Sequence, residues 1–372
     1  MPIVLDTRTA TSHFPGIGRY VVNLACSLAR LVEPDIDLVL LCDPSAGAAN
    51  AALPELPRVF SPASPFSISQ QWVVPRTLRH LGAGLYHSPY YLMPYFPCVP
   101  AVFTCHDMIP LIYPQYFSAA HRTIFRLAHA LALKSSGVVL TNSYATRADL
   151  MRHFRLARQR IVVTHEAADP RFTPQPSAIT DAVRRKYSLP ERYVLYVGSN
   201  KPHKNLVRLV EAWDMLTAGD RTAGYGMVIA GYWDKRYPQA RIRVRDLSLE
   251  YNVLFLPNVP EADIPALYSA ASVFVFPSEY EGFGLPVLEA MACGVPVVCS
   301  SSSSLPEVAG EAALLVNPLD VEGLAEAMGR VIADDALKQD LRERGMAQAR
   351  KFSWERTARE TIAAYHSVLN EG

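Results

Sequence analysis

The sequence predicts an α/β protein built on two doubly wound parallel sheets. Short apolar runs of strand length alternate with amphipathic segments of helix length, which is the pattern of βαβ units. The alternation occurs twice, on either side of the proline-rich segment 169–176 (DPRFTPQP). Several strands end in glycine-containing loops that lead into helices, and such loops place ligand sites at the carboxyl edge of a parallel sheet. A chain of 372 residues has room for two domains of this kind.

The composition indicates a globular chain and argues against bulk nucleic-acid binding. Half of the residues are hydrophobic, 19% are charged and the formal net charge is +1. Residues 1–173 hold 15 lysines and arginines against 10 aspartates and glutamates, whereas the remainder holds 21 against 25. The basic first half indicates either an anionic surface or acceptor on that side, or ordinary solvated charge.

The cysteines and the apolar runs predict a cytoplasmic protein. Six cysteines without metal-ligand spacing are expected to be reduced and buried: Cys26, Cys42, Cys98, Cys105, Cys293 and Cys299. No apolar run is long enough to span a bilayer, and the N-terminus enters a strand directly, unlike a signal peptide. We therefore expect any membrane contact to be peripheral, on the inner face of the membrane.

The sequence of the first half predicts strands that alternate with loops and helices. Strands are expected at 2–6, 37–42, 84–87, 101–106, 137–141 and 161–164, and helices at 16–31, 118–135 and 144–154. Residues 44–66, rich in alanine and proline, are interpreted as loop. The aromatic loop 88–97 is either core or an apolar lip against a lipid-linked acceptor.

The second half repeats the architecture without repeating the sequence. Strands are expected at 193–197, 226–230, 253–256, 271–277 and 295–299, and helices after 204 and at 321–333 and 336–350, with a last helix reaching 369. The proline-rich segment is taken as the boundary between the halves.

The segment 278–298 (SEYEGFGLPVLEAMACGVPVV) carries the strongest functional signal. Gly282 and Gly284 lie in the loop after a buried strand, Pro286 stands where a helix begins, and Gly294 stands just past its end. A strand, a glycine loop and a helix N-terminus in this order present backbone N–H groups to an anion.

Two carboxylates frame this loop, with seven residues between them: Glu281 and Glu289. The amides of residues 282–285 suit a phosphate, and carboxylates accept hydrogen bonds from hydroxyl groups, so the combination indicates a nucleotide sugar. Each carboxylate also has a plain alternative, a helix cap for Glu281 and a solvated surface position for Glu289.

The segment resembles the E-x7-E signature of the retaining family-4 glycosyltransferases, in the form EGFGLPxLEAMAxGxPVV, and the resemblance covers most of the chain. It implies the GT-B fold, with an interdomain cleft between two Rossmann-like domains. These are an N-terminal acceptor-binding domain, 1–172, and a C-terminal donor-binding domain, 173–354. The C-terminal helix, 355–372, is expected to pack back on the first domain.

In the first domain the resemblance implies residues on both sides of the reaction. Family members carry two adjacent glycines before the first helix, and here these positions are Pro15 and Gly16, the latter near the donor phosphate. A histidine at a strand end lies against the donor sugar in the family, and His106 matches it. The residues expected on the acceptor side are Gly18, Arg19 and Asp107.

In the second domain Lys204, within P-x-K-N, matches the lysine that binds the diphosphate. A lysine at a helix N-terminus otherwise opposes the helix dipole. The family's arginine is replaced by Ser199, so Asn200 or Lys201 is expected to supply the second group. Leu305 and Pro306 would border the phosphates. The implied donor-binding set is Gly16, Ser199, Asn200, Lys204, Asn258, Val259, Glu281, Gly282, Phe283, Gly284, Leu285 and Glu289.

The implied reaction moves a hexosyl group from a nucleotide diphosphate sugar to an acceptor hydroxyl with retention of configuration. The leaving diphosphate is already a stable anion, so charge stabilisation matters more than acid protonation. The catalytic residues are expected to be His106, Lys204 and Glu281. Neither a cofactor nor a metal is expected, because no D-x-D pair stands at a strand end.

The segments PHKN and THDMIP resemble mannosyl- and related hexosyltransferases of polysaccharide and lipopolysaccharide assembly. They favour GDP-mannose as the donor and a saccharide or lipid-linked saccharide as the acceptor. UDP-glucose, UDP-N-acetylglucosamine and dTDP-rhamnose stay open as donors. A glycoside phosphorylase or sugar-nucleotide epimerase of the same fold, or a non-catalytic relative that binds a partner protein, are the alternative functions.

Overall fold

The computed structural model describes residues 1–11, 15–31, 37–218 and 224–370. The loop predicted ahead of the first helix, at 12–14, and the last two residues of the segment 355–372 lie outside this part. The chain divides into two compact units, one of Met1–Glu166 with Ser353–Gly372 and the other of Ala167–Phe352.

The first division precedes the proline-rich segment that the sequence suggested as a boundary. Phe172 is buried in the core of the second unit, and the Gln175 backbone N–H donates to Ser269 Oγ at 3.0 Å. The prolines indicated a linker, but these anchors attach the segment to the second unit. The second division falls between Phe352 and Ser353, close to the predicted position.

The first unit contains a seven-stranded parallel sheet in the order β3-β2-β1-β4-β5-β6-β7. Its strands are β1 (Pro2–Asp6), β2 (Asp37–Cys42), β3 (Arg58–Phe60), β4 (Leu85–Ser88), β5 (Ala101–Cys105), β6 (Val138–Thr141) and β7 (Ile161–Val163). Its helices are α1 (Pro15–Leu31), α2 (Gly47–Ala51), α3 (Gln70–His80), α4 (Ile109–Ile112), α5 (Ala119–Ser135), α6 (Tyr144–Phe154) and the C-terminal Trp354–Asn370.

Alternation along the strands assigns the helices to the two faces of this sheet. Ala101, Phe103 and Cys105 belong to one core with side chains of α3, α5 and α6, so these three helices cover the same face. Thr104 points the other way, where it bonds Tyr20 of α1 and His87. The C-terminal helix covers that second face beside α1, and its Tyr365 hydroxyl meets His87 Nδ1 at 2.7 Å.

The structure corrects the sequence analysis at three places in this unit. Residues 44–66 contain α2 and β3, which are too short and too exposed to give an apolar period. Pro15 and Gly16, which match family positions ahead of the first helix, lie inside the first turn of α1. Cys98 is exposed, unlike the buried thiol that was expected.

The second unit contains a six-stranded parallel sheet in the order β10-β9-β8-β11-β12-β13. Its strands are β8 (Arg192–Val197), β9 (Tyr225–Gly231), β10 (Val253–Pro257), β11 (Val273–Phe276), β12 (Val297–Ser300) and β13 (Leu314–Val316). Its helices are α7 (Ser177–Tyr187), α8 (Leu206–Ala218), α9 (Gln239–Asp246), α10 (Ile264–Ser269), α11 (Leu285–Ala292), α12 (Leu305–Ala309), α13 (Val321–Ala333) and α14 (Asp335–Ala349). We number the C-terminal helix of the first unit, Trp354–Asn370, α15.

Both strand orders run outward from a central strand and then reverse, as in doubly wound folds. In the first unit, β1 pairs with both β2 and β4, with Ile3 opposite Leu38 and Leu85. In the second, β8 pairs with both β9 and β11. The predicted fold class is therefore confirmed. Among the described helices, none is both long enough and apolar enough to cross a bilayer.

Two buried histidines of the first unit make it acid-sensitive. Burial is the main cause that lowers the pKa of His87 to about 3 and that of His129, on the inner side of α5, to about 3. Unfolded histidine titrates near pH 6.5. Between these values the unfolded chain binds protons that the folded chain does not, so stability falls as the pH drops from 6.5 towards 3.

We expect His129→Phe to reduce this acid sensitivity. The ring stays aromatic against Tyr91 and Phe125, but its titration is removed. Urea unfolding at pH 7 and pH 5 should show that the variant loses about 2 kcal/mol less stability between the two than the parent. His121→Phe, an exposed position on the same helix, is the matched control and should leave the pH dependence unchanged. Equal pH dependence of parent and His129→Phe would contradict this origin.

Candidate functional site

The loops after β8 and β11 lie at the switch point of the second sheet. These strands are neighbours, and the chain leaves them towards opposite edges, so their carboxyl ends border a crevice. The loop after β8 ends in a 3₁₀ turn, Pro202–Lys204, and Asn205 then adopts a left-handed conformation before α8. The loop after β11 contains Glu281. The fold therefore brings together residues that are far apart in the sequence.

Lys204 and Glu281 form an ion pair at the switch point, in which the ammonium contacts both carboxylate oxygens. Lys204 Nζ lies 2.6 Å from Glu281 Oε1 and 2.8 Å from Oε2. The two side chains are only 16% and 11% exposed, so water screens the charges weakly. Ser278 Oγ donates to Glu281 Oε1 at 2.5 Å, and the Phe276 ring centroid lies 5.4 Å from Lys204 Nζ. The pair is neutral as a whole, and each member is held in a fixed direction.

A run of serines that begins with the last residue of β12 fixes the Glu281 loop from the other side. Ser300 Oγ donates to the Ser278 carbonyl at 2.5 Å, and Ser302 Oγ donates to that of Glu279 at 2.9 Å. The carbonyl of Glu281 accepts from two more hydroxyl groups, those of Ser303 at 2.6 Å and Ser304 at 3.0 Å. The loop is thus held at successive carbonyls. Sequence reasoning identified this serine segment only as a loop, because hydroxyl-to-carbonyl bonds leave no periodic pattern.

The glycine loop ends where α11 begins. Gly284 is the N-cap of α11 with a φ of 116°, and a Cβ there would lie 2.6 Å from Leu305 Cδ2. Only glycine combines this backbone conformation with this contact. Pro286 occupies the first turn, as predicted, and the first amides of a helix have no acceptor within the helix. The arrangement suits an anion.

Glu289, within α11, is buried at 2% exposure. The Tyr268 hydroxyl donates to its Oε2 at 3.2 Å. The solvated surface position weighed in the sequence analysis is therefore wrong for this residue.

The candidates after Gly198 differ in what their side chains contact. Asn200 donates to the carbonyls of Asp234 and Tyr237, at 2.8 and 2.7 Å, and its own Oδ1 accepts the Asp234 N–H at 2.7 Å. This amide fixes the loop after β9, and the two hydrogen bonds that its Nδ2 donates go to carbonyls of that loop. The Ser199 carbonyl accepts the Tyr196 hydroxyl at 2.8 Å. Lys201 is exposed, so its ammonium group remains the alternative to the missing arginine.

The residues predicted to meet a nucleobase follow β10, the edge strand. Asn258 is exposed and left-handed with a φ of 59°, whereas Val259 is half-buried and packs on the core.

Two further charged residues near the site, Arg208 and Glu279, were missed by the sequence analysis. Arg208 of α8 donates to Asn205 Oδ1 at 2.8 Å and to Glu279 Oε1 at 2.9 Å.

In the first unit His106 stands just past β5, with both ring nitrogens beside acceptors. Nε2 lies 3.0 Å from the Pro89 carbonyl, which can only accept, so Nε2 carries a proton. Nδ1 lies 3.6 Å from Glu166 Oε1, and the edge of the Tyr20 ring packs against the imidazole. Glu166 is buried and accepts from Asn142 Nδ2 at 3.0 Å. Sequence reasoning missed Glu166, which follows β7 in a segment without a motif.

The remaining candidates of the first unit have distinct surroundings. A Cβ at Gly18 would lie 3.1 Å from the Thr11 carbonyl oxygen, so glycine is needed there for packing within the chain. A Cβ at Gly16 would meet no described atom within 4 Å. Asp107 Oδ1 accepts the Ile109 N–H at 3.0 Å, which fixes the turn that leads into α4. Arg19 is half-buried, and its carbonyl accepts from Asn23 Nδ2.

Comparison with known proteins identifies the family. The family profile for glycosyl transferases group 1 matches residues 180–348, and that for glycosyltransferase family 4 matches residues 15–172. The O-antigen chain mannosyltransferase B of Escherichia coli is 37% identical over 289 residues, which are 77% of this chain and 75% of that protein.

Two further similarities extend this result. The serotype-specific mannosyltransferase WbdA of Escherichia coli is 30% identical over 276 residues, 72% of this chain, but the match spans only 33% of WbdA. Among solved structures, HepE of Anabaena in complex with UDP and glucose has a TM-score of 0.80 at 19% identity. It covers 99% of this chain and 100% of HepE. The chain therefore belongs to glycosyltransferase family 4 and is a glycosyltransferase of the GT-B fold.

Proposed function

We propose that this glycosyltransferase moves a mannosyl group from GDP-mannose to a hydroxyl of a saccharide or lipid-linked saccharide acceptor, with retention of configuration and without a metal. The similarity to the O-antigen mannosyltransferase supports mannose and a role in lipopolysaccharide assembly. The observation that carries the proposal is the Lys204–Glu281 pair at the switch point of the second sheet. In this pair Lys204 would be the cation for the diphosphate and Glu281 the acceptor for sugar hydroxyls.

Donor binding would rearrange this pair. Lys204 donates to both carboxylate oxygens of Glu281, so a donor would compete with each group for the other. A diphosphate carries more charge than one carboxylate and would take over part of the ammonium's hydrogen bonds. Glu281 would then turn an oxygen to a hydroxyl of the sugar while Ser278 keeps hold of Oε1. The two side chains thus form a preorganised site, in which their interaction with each other is replaced by interactions with the donor.

The chemistry then depends on stabilising the departing diphosphate. Lys204 and the amides that open α11 would spread its charge, which removes the need for a divalent ion. The resemblance implies that the acceptor attacks from the side of the departing phosphate, whose oxygen takes the acceptor's proton. His106 would contact the transferred sugar, Glu289 the ribose, and the backbone at Asn258 the base. Gly16 would admit a phosphate of the donor.

A panel of nucleoside diphosphates tests the donor assignment. GDP should raise the melting temperature more than UDP, dTDP or ADP, because a ligand that binds only the folded state adds about 2.7 kcal/mol at a hundredfold excess over its Kd. Lys204→Met should abolish the shift, whereas Lys186→Met, which removes the lysine of an exposed pair with Asp263, should keep it. Equal shifts with all four diphosphates, or none, would contradict the GDP assignment.

The reaction itself separates the alternatives. With GDP-mannose and a saccharide acceptor, an axial anomeric linkage in the product and undiminished turnover in EDTA are expected. Turnover of a disaccharide with phosphate would indicate a phosphorylase, and conversion of the nucleotide sugar without acceptor would indicate an epimerase. Donor binding without turnover would indicate a non-catalytic relative. We further propose that the protein works at the inner face of the membrane, where lipid-linked acceptors are displayed.

A further inference from the structure

A second ion pair, between Arg208 and Glu279, lies at the junction that holds Lys204. Arg208 is in the first turn of α8, and its Nη1 donates to Asn205 Oδ1 at 2.8 Å and to Glu279 Oε1 at 2.9 Å. Asn205 directly follows Lys204 in the loop after β8. Glu279 precedes Glu281 by two residues in the loop after β11. The Arg208–Glu279 pair therefore joins the same two loops as the ion pair of Lys204.

Both acceptors of this guanidinium have fixed backbone positions. The Asn205 side chain is buried, and its Nδ2 donates to the carbonyls of Pro277 and Pro318, at 3.1 and 2.6 Å. These bonds leave its Oδ1 directed at the guanidinium. The backbone N–H of Glu279 donates to the His203 carbonyl at 2.7 Å. The guanidinium is therefore held at the crevice between β8 and β11 before any ligand arrives.

More than half of the donors of Arg208 are available to a ligand. Nη1 makes both of its bonds, and within the described part of the chain Nε and Nη2 have no hydrogen-bond partner. A guanidinium has about five N–H donors, so the Nε and Nη2 donors are left over. The side chain of Arg208 is 36% exposed, so solvent and ligands can reach it. A planar fork of N–H groups fits two oxygens of a phosphate.

The charge balance at this junction favours a second cation. A diphosphate carries more than one negative charge, and Lys204 brings a single positive charge. The other basic side chains of the loop after β8 are those of Lys201 and His203. Burial lowers the pKa of His203 well below its ordinary value, so its imidazole is neutral at pH 7. Lys201 is exposed and, among the described residues, forms no ion pair.

We propose that Arg208 is the second cation of the donor site and binds the diphosphate beside Lys204, while Glu279 competes with the donor for its guanidinium. The inference rests on the donor site proposed above and adds two residues to it. Phosphate oxygens would accept from Nε and Nη2, and the attraction of Glu279 would oppose the movement of Arg208 towards them. Glu279 then lowers donor affinity, whereas a residue that only braced the two loops would raise it.

Two variants that break this ion pair separate the two roles. Isothermal titration calorimetry uses whichever of GDP, UDP, dTDP and ADP raises the melting temperature most, so the test does not depend on the base. Arg208→Met should weaken binding about tenfold or more, since a charge-assisted hydrogen bond is lost. Glu279→Gln should tighten binding about threefold or more, because the guanidinium no longer has to leave a carboxylate. If the pair only braced the loops, both variants would bind more weakly.

The matched control is the ion pair between Arg243 of α9 and Glu211 of α8, whose side chains have similar exposures of 38% and 29%. Arg243→Met and Glu211→Gln should bind as the parent does, and melting temperatures without ligand report folding. Weaker binding in Glu279→Gln would overturn the inference. Unchanged binding in Arg208→Met, with binding lost in Lys204→Met, would overturn it and leave the donor site in place. Unchanged binding in both Arg208→Met and Lys204→Met would overturn the donor site as well.

Discussion

Replacing Lys204 by methionine is expected to lower kcat roughly 100- to 1,000-fold, the usual effect of removing one group that stabilises transition-state charge. The ammonium of Lys204 lies between the loops after β8 and β11, and methionine keeps most of the length of the side chain without its charge. KM for the donor should rise as well, because the same ammonium binds the ground-state diphosphate. Steady-state kinetics with GDP-mannose and a saccharide acceptor measure both effects.

The same substitution also leaves Glu281 as a carboxylate without its counter-ion. Removing one member of a fully buried pair costs about 3–5 kcal/mol, and the remaining exposure of this pair should keep the loss below that range. Glu281→Gln removes the other charge and keeps the hydrogen bond from Ser278. In the double variant no uncompensated charge remains, so the free energy of unfolding should recover relative to Lys204→Met.

Activity should not recover with it. If Lys204 and Glu281 only hold the two loops together, the double variant regains turnover along with stability. If they bind the donor, turnover stays low while the melting temperature rises, and the two readouts separate. Lys186→Met, in the exposed pair with Asp263, is the control for the loss of a surface lysine and should change neither quantity by much.

The strands and most helices could be predicted because buried parallel strands give continuous apolar runs. Val273–Phe276 is an example: both of its faces are covered, and all four residues are buried. Residues 58–60 could not be predicted as a strand, since an exposed edge strand of three residues has no apolar run. The proline-rich segment was misjudged for a related reason. Composition reports the backbone's preference, whereas the buried Phe172 decides to which unit the segment belongs.

The candidate site also has one part that could be predicted from the sequence and one part that could not. The glycines, Lys204 and Glu281 could be predicted from local sequence because each belongs to a strand–loop–helix unit. Their direct contact could not, since it requires β8 and β11 to be neighbours, and the sequence does not state the strand order. The burial of Arg8 was not predicted either, because it depends on contacts between distant segments. It is 1% exposed, forms an ion pair with Asp6 and donates to Gln70, a partner brought there by α3.

Glu166 also could not be predicted from the local sequence. Its contact with His106 leads to the second prediction of a large effect on kcat. His106→Ala should lower kcat by roughly 100-fold if the imidazole contacts the transferred sugar. Glu166→Gln should lower kcat about tenfold with little change in KM. The amide still accepts the hydrogen bond from Asn142, but the negative charge 3.6 Å from Nδ1 is gone.

A double-variant cycle decides whether Glu166 acts through His106. If it does, adding Glu166→Gln to His106→Ala should cause no further loss, because the residue it positions is absent. Glu355→Gln, an exposed carboxylate of the same unit, is the control for the loss of one negative charge. Losses that multiply in the double variant would mean that Glu166 acts independently. A melting temperature and a kcat that fall together in Glu166→Gln would reduce its role to holding Asn142 and the ends of β6 and β7 in place.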